Sequence, residues 1–141
     1  ENHGLNGNIS QCSISLNTKK NTLRGMHYQK KPYAEAKLVR CSRGFIYDVI
    51  VDLRYDSSTF KEWTSIEISA ENRKMVYVPE GFAHGFQTLT DNAEVVYQMS
   101  QFYSPSHADG FRWDDPSFRI DWPSKGLVIS LKDQNYPDFK L

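Results

Sequence analysis

The chain has 141 residues, 39% of them apolar and 13% aromatic, with 17 basic and 17 acidic side chains in balance. This length suits one domain that buries about two-thirds of its unfolded surface, and a balanced charge offers no field to draw in nucleic acid or an anionic membrane. No run reaches the roughly 20 apolar residues that cross a bilayer, and the Asn-, Gly- and Ser-rich start lacks the order of a signal peptide, so a soluble, cytoplasmic protein with no nucleic-acid and no membrane partner is expected.

Runs rich in Val, Ile, Tyr and Phe recur with turn residues between them, and almost nothing repeats at helical spacing, which predicts an antiparallel all-β chain. The expected strands cover 9–16, 22–29, 35–41, 44–53, 63–69, 74–78, 84–90 and 94–100. Cys12 and Cys41, on the first and third of these, are expected as free, mostly buried thiols without metal-ligand spacing. Ser42-Arg43-Gly44 and Ala70-Glu71-Asn72-Arg73 read as turns, and Pro79-Glu80-Gly81 as a bend whose glycine takes a positive φ. Short strands at this spacing imply a sandwich or barrel. After Tyr103, the pairs Ser104-Pro105, Asp115-Pro116 and Trp122-Pro123 break any long element. They leave a loop-rich tail with one short helical turn, expected to lie across the barrel.

Side chains alternate along a strand. His27 and Gln29 therefore face one way, as do Val95, Tyr97 and Met99, and the latter register extends to Tyr103 if no bulge intervenes. A neutral imidazole can take a proton near pH 7, and a carboxylate on its other nitrogen fixes the tautomer; Asp133, in Lys132-Asp133, is the candidate partner for His27. Tyr97 and Tyr103 are by default core aromatics, but a phenol is also a proton donor to a carbanion or enolate. Lys37 could stabilise an oxyanion, and Arg24 could hold a phosphate bidentately.

Pro79-x-Gly81-x-x-His84 resembles the second motif of the cupin barrels, where the histidine commonly binds a metal. The first cupin motif would need a second histidine where Gln29 stands, and only the distant Glu35 could help. One histidine from each motif makes a poor transition-metal site, and no metal is expected.

Six segments, Leu23-Arg24-Gly25-Met26-His27-Tyr28-Gln29, Lys37-Leu38-Val39-Arg40, Asp48-Val49-Ile50-Val51-Asp52-Leu53-Arg54, Pro79-Glu80-Gly81-Phe82-Ala83-His84-Gly85-Phe86, Trp113-Asp114-Asp115-Pro116 and Ile120-Asp121-Trp122-Pro123, together resemble the dTDP-4-dehydrorhamnose 3,5-epimerase family. The resemblance runs from about Gln11 to Phe139. It implies a cupin-type β-jelly roll, an antiparallel double-sheet barrel, that forms a homodimer. It also implies epimerisation of a nucleoside-diphosphate-linked 4-keto-6-deoxy sugar at C3, C5 or both, with no cofactor and no metal. On matching positions His27 would be the base, Asp133 its partner, Tyr97 the acid on the opposite sugar face and Lys37 the enolate-stabilising cation. Arg24, His84 and Lys132 would contact substrate, and Gln29 and Tyr103 would line the sugar pocket.

The chain departs from the family in places. Only 26 residues precede His27, where the family has a longer stretch that supplies a further arginine and residues exchanged across the dimer. The whole of 1–141 is therefore read as one epimerase domain without that stretch, either truncated or differently dimeric. Ser13 stands where Asn is general and Ala108 where Glu is common, which leaves nucleotide and sugar open. A 3,4-ketoisomerase of the same fold, a catalytically silent sugar-nucleotide binder and a metal-dependent cupin are the alternatives.

Overall fold

The computed structural model describes residues 3–140, and their regular elements are β1 (Gln11–Asn17), β2 (Thr22–Gln29), β3 (Lys37–Arg43), β4 (Phe45–Asp52), β5 (Trp63–Ser69), β6 (Met75–Val78), β7 (Phe82–Thr88), β8 (Ala93–Met99), β9 (Ala108–Gly110), β10 (Val128–Ile129) and α1 (Leu131–Gln134). Strands β2 and β5 keep the bounds expected from sequence, and the other six expected strands shift only at their ends. The three- and two-residue strands β9 and β10 were not anticipated, being too short to carry a period. The expected helical turn of the tail is α1.

Strands β1, β8, β3 and β6 form one antiparallel sheet, and β10, β2, β7, β4 and β5 form the other, in which only the β10–β2 pair is parallel and β9 pairs β2 on the side away from β7. Early strands alternate between the sheets, as a double-sheet jelly roll requires. Between the sheets lies an apolar interior that includes Val39, Ile46, Ile68, Val78, Phe86 and Val95. A second core holds Leu23, Met26, Val49, Val51 and Ala83 from the back of the larger sheet against Phe111, Phe118 and Trp122 of the tail. The tail thus covers the sheet, as expected, and its aromatics pack closely: Phe111 stacks on Phe118 at 4.3 Å, and the Trp122 indole donates to the Trp113 carbonyl at 2.9 Å.

Strand β4 serves both cores. Ile46 and Asp48 point inward while Val49 and Val51 point to the tail, so the strand is apolar on both faces instead of alternating. On β1 the alternation is plain, with Cys12, Ile14 and Leu16 exposed and the intervening residues turned inward. This corrects the expectation of two mostly buried thiols. Both cysteines are free, but only Cys41 is buried, because Cys12 occupies an outward position of an edge strand.

Two glycines let β2 and β7 approach. A Cβ on Gly25, whose φ is +127°, would lie 2.6 Å from the Gly85 Cα, and one on Gly85 would lie 2.6 Å from the Met26 sulfur. No helix among the described residues is long and apolar enough to cross a membrane.

Candidate active site

Between the sheets opens a cavity of about 290 Å³. Eight of the nine site residues expected from sequence line it: Arg24, His27, Gln29, Lys37, His84, Tyr97, Tyr103 and Lys132. The ninth, Asp133, stands behind His27, where its Oδ1 meets His27 Nε2 at 2.7 Å. His27 and Tyr97 come from β2 and β8, hence from opposite sheets.

Asp133 is buried, on a helical turn capped by the Ser130 hydroxyl, which accepts the Asp133 N–H at 3.1 Å. Burial alone would raise its pKa. The hydrogen bond and charge of His27, with the Gly25 amide and Ser130, outweigh burial and hold the carboxyl below its ordinary value. An ionised Asp133 accepts the proton of Nε2 and leaves the lone pair on His27 Nδ1. The imidazole side chain is 39% exposed and so reachable from the cavity.

Opposite, burial first and the charge of Asp48 second push the Tyr97 phenol well above its usual pKa, against a smaller opposing pull from Arg24 and Ser15. Tyr97 is therefore a protonated donor at neutral pH. Its ring meets the His84 ring edge-on at 6.2 Å. His84 is itself buried and bound through Nε2 to Asp48 Oδ2 at 2.8 Å. The Lys37 ammonium is paired with Glu35 at 2.9 Å, and both side chains are nearly buried, which fixes the cation in a weakly screened place.

Gln29 reaches the cavity, but its amide is committed to the protein. Its nitrogen donates to the Tyr33 carbonyl at 2.9 Å, and its oxygen accepts the Ser104 N–H at 2.7 Å, so it anchors the loop after β8. Tyr103 sits on that loop. It gets there past the end of β8, with its N–H on Gln11 Oε1 at 2.9 Å, and not by continued strand register. Arg24 is steadied by Nε donating to Asn17 Oδ1 at 2.6 Å.

Three contributors escaped the sequence reading. Asp48 is an acid at an inward position of an apolar strand, a signal that parity could have exposed. Glu35 was considered only for metal. Tyr136, which lines the cavity beside His27, had no motif to mark it. Among the described residues, no group of three or more His, Cys, Asp or Glu is gathered as a metal ion would need.

Comparison with known proteins places this geometry. The family model described as dTDP-4-dehydrorhamnose 3,5-epimerase matches residues 1–140. The enzyme of that name from Shigella flexneri is 48% identical over 120 residues, which are 85% of this chain and 66% of the relative. The chain thus spans about two-thirds of the length of such relatives. Among solved structures, dTDP-4-dehydrorhamnose 3,5-epimerase from Bacillus anthracis, with TDP and PPi bound, superposes with a TM-score of 0.95 at 41% identity, covering 98% of this chain and 79% of that one. ChmJ, a 3'-monoepimerase from Streptomyces bikiniensis in complex with dTDP-quinovose, gives a TM-score of 0.86 at 34% identity over 93% of this chain and 66% of that one. With a family model matched along nearly its whole length and a jelly roll shared with the solved members, this chain belongs to the dTDP-4-dehydrorhamnose 3,5-epimerase family.

Proposed function

We propose that the protein is a cofactor-independent epimerase that inverts C3, C5 or both of a dTDP-linked 4-keto-6-deoxy sugar. The observation that carries this reading is the pairing of an Asp133-held His27 with a protonated Tyr97 from the opposite sheet of one cavity. The relatives named for this reaction, and those solved with TDP or a dTDP sugar, support the nucleotide.

The chemistry needs these groups. A carbon beside a ketone gives up its proton only if the charge moves to the carbonyl oxygen. His27 Nδ1 takes the proton, the C–H electron pair forms the enolate double bond, and the C4 oxygen becomes an oxyanion beside Lys37. Tyr97 then returns a proton to the same carbon from the other face, and the C=O re-forms. Each positioned proton transfer is worth roughly 10²- to 10⁴-fold, and the oxyanion contact adds about 10²- to 10³-fold. Arg24 and Lys132 would hold the diphosphate away from the reacting carbons, so that binding there orients the sugar.

The reading includes a homodimer and a cytosolic setting. Ile14 and Leu16 are exposed side by side on the outer face of edge strand β1, a small apolar strip suited to a second copy; light scattering on the eluting protein tests it. An anionic nucleotide sugar does not cross a bilayer unaided, so an enzyme acting on it shares the compartment where nucleotides are made.

Incubation with the 4-keto sugar nucleotide in heavy water is the decisive experiment. Deuterium should enter at C3, C5 or both with inversion, and product with every ring position undeuterated would sink the proposal.

A further inference from the structure

The tail segment that carries Asp133 is tied down at both ends. Val128 and Ile129 pair in parallel with Thr22 and Leu23. Further on, the Phe139 N–H donates to Asp115 Oδ2 at 2.5 Å, and its ring packs on Phe111 and Phe118 at 5.8 and 5.4 Å. Between these anchors lie Lys132, Asp133 and Tyr136. The first two have roles in the reaction proposed above, and Tyr136 has none.

Its ring is nevertheless held on three sides. The His27 imidazole lies 5.8 Å away, tilted by 59°. Beneath the phenol is Gly110, the residue paired with His27 across β2 and β9. A Cβ at Gly110 would come within 2.9 Å of Tyr136 Cζ and 3.0 Å of Cε2, so the ring occupies the space that any larger residue would need. On the third side the Lys132 ammonium stands 5.8 Å from the ring centroid. The nearby Tyr136 phenol, as a potential hydrogen-bonding partner first and through its charge second, raises the pKa of that lysine.

We propose that Tyr136 is a positioning residue with two arms: its ring caps His27 so that Nδ1 faces the sugar, and its hydroxyl holds Lys132 toward the anionic part of the substrate. The inference rests on the proposed epimerase reading. An imidazole tied only through Nε2 can rock about that bond, and a neighbouring ring removes the freedom. A lysine carries large rotamer entropy, which binding must otherwise overcome at the moment the diphosphate arrives.

The two arms separate under substitution. In Tyr136→Phe, which keeps the ring, affinity for dTDP measured by calorimetry should fall roughly 3- to 10-fold, with kcat within about twofold. In Tyr136→Ala the same affinity loss should be joined by a fall in kcat of about 10- to 100-fold. On a Lys132→Gln background, Tyr136→Phe should cost no further dTDP affinity. Side-chain relaxation of His27 in the ligand-free protein reads the capping arm without any chemistry: the ring should be rigid in the parent and Phe forms and mobile in the Ala form. Equal His27 mobility in all three, equal kcat losses in Phe and Ala, or affinity losses that multiply on the Lys132→Gln background would overturn the assignment. A parent protein that binds dTDP but exchanges no ring proton would instead count against the epimerase reading alone.

Discussion

Arg24 and His27 are three residues apart on one strand, yet both line the same cavity. Strict alternation would put them on opposite faces. Arg24 pairs with Phe86 and His27 with His84, so β2 spends three residues where β7 spends two, and the extra residue turns the His27 imidazole to the side of the Arg24 guanidinium.

Gly25 lies within that irregularity, with a φ of +127° and the Gly85 Cα 2.6 Å from where its Cβ would be. Gly25→Ala would bring a side chain onto backbone, which cannot swing aside. The expected cost is about 2–4 kcal/mol, visible as a clear drop in melting temperature by calorimetry. A variant melting with the parent would mean that the two strands do not approach so closely.

Asp133→Asn would leave the shape of the His27 pair but remove the charge that selects the tautomer. The amide can equally present its N–H to Nε2, which then holds the lone pair and leaves the proton on Nδ1, the wrong atom. By analogy with other carboxylate–histidine pairs, kcat should fall about 10³- to 10⁴-fold, with KM changed little because Asp133 does not line the cavity. Steady-state kinetics decides it: a fall in kcat below tenfold would remove His27 from the role of base.

How much was legible depended on the length and regularity of each signal. Strand β5 alternates against a well-defined turn at 70–73, so periodicity placed it. The residues around His27 were legible as a motif, because a base, a cation and an amide within six positions are chemically distinctive. Arg24 was read as a phosphate ligand without any reason for its face, since nothing in the alternation of Leu23 to Gln29 announces an extra residue. Strand β10 spans two residues and exists only because β2 is there to pair with it. Asp48 and Tyr136 were missed for a related reason: each acquires its role from a partner distant in sequence, 36 residues away in the case of His84 and Asp48.

Away from the site, Asp52 predicts an acid response. Its buried carboxylate accepts Arg54 Nε and Nη2 at 2.9 and 2.8 Å and the Thr59 hydroxyl at 2.7 Å. The Arg54 hydrogen bond above all, against an opposing effect of burial, holds its pKa far below the ordinary carboxylate value of 3.8. A group depressed in the fold stabilises it fully above the unfolded pKa, and that stability is lost progressively as pH falls toward the folded one. Melting temperature should therefore decline below about pH 4, and Asp52→Asn should flatten that decline while lowering stability at neutral pH. An acid limb equally steep in parent and variant would assign it to other carboxylates.

Tyr97→Phe separates the two halves of the proposed reaction. Without the phenol, His27 can still remove a proton and Lys37 can still hold the oxyanion, but no donor stands on the opposite face. Inversion should fall roughly 10²- to 10⁴-fold, while deuterium from heavy water continues to enter substrate of unchanged configuration, because exchange on the base side needs only His27 and solvent. In the parent protein the raised pKa of Tyr97 keeps the phenol protonated, so its ionisation should contribute no alkaline loss of kcat below about pH 10. The ratio of washout to epimerisation, followed by proton NMR, is the measurement. If both rates fell together in Tyr97→Phe, the phenol would be acting on formation of the enolate instead of its capture, and the assignment of acid and base to opposing sheets would have to be given up.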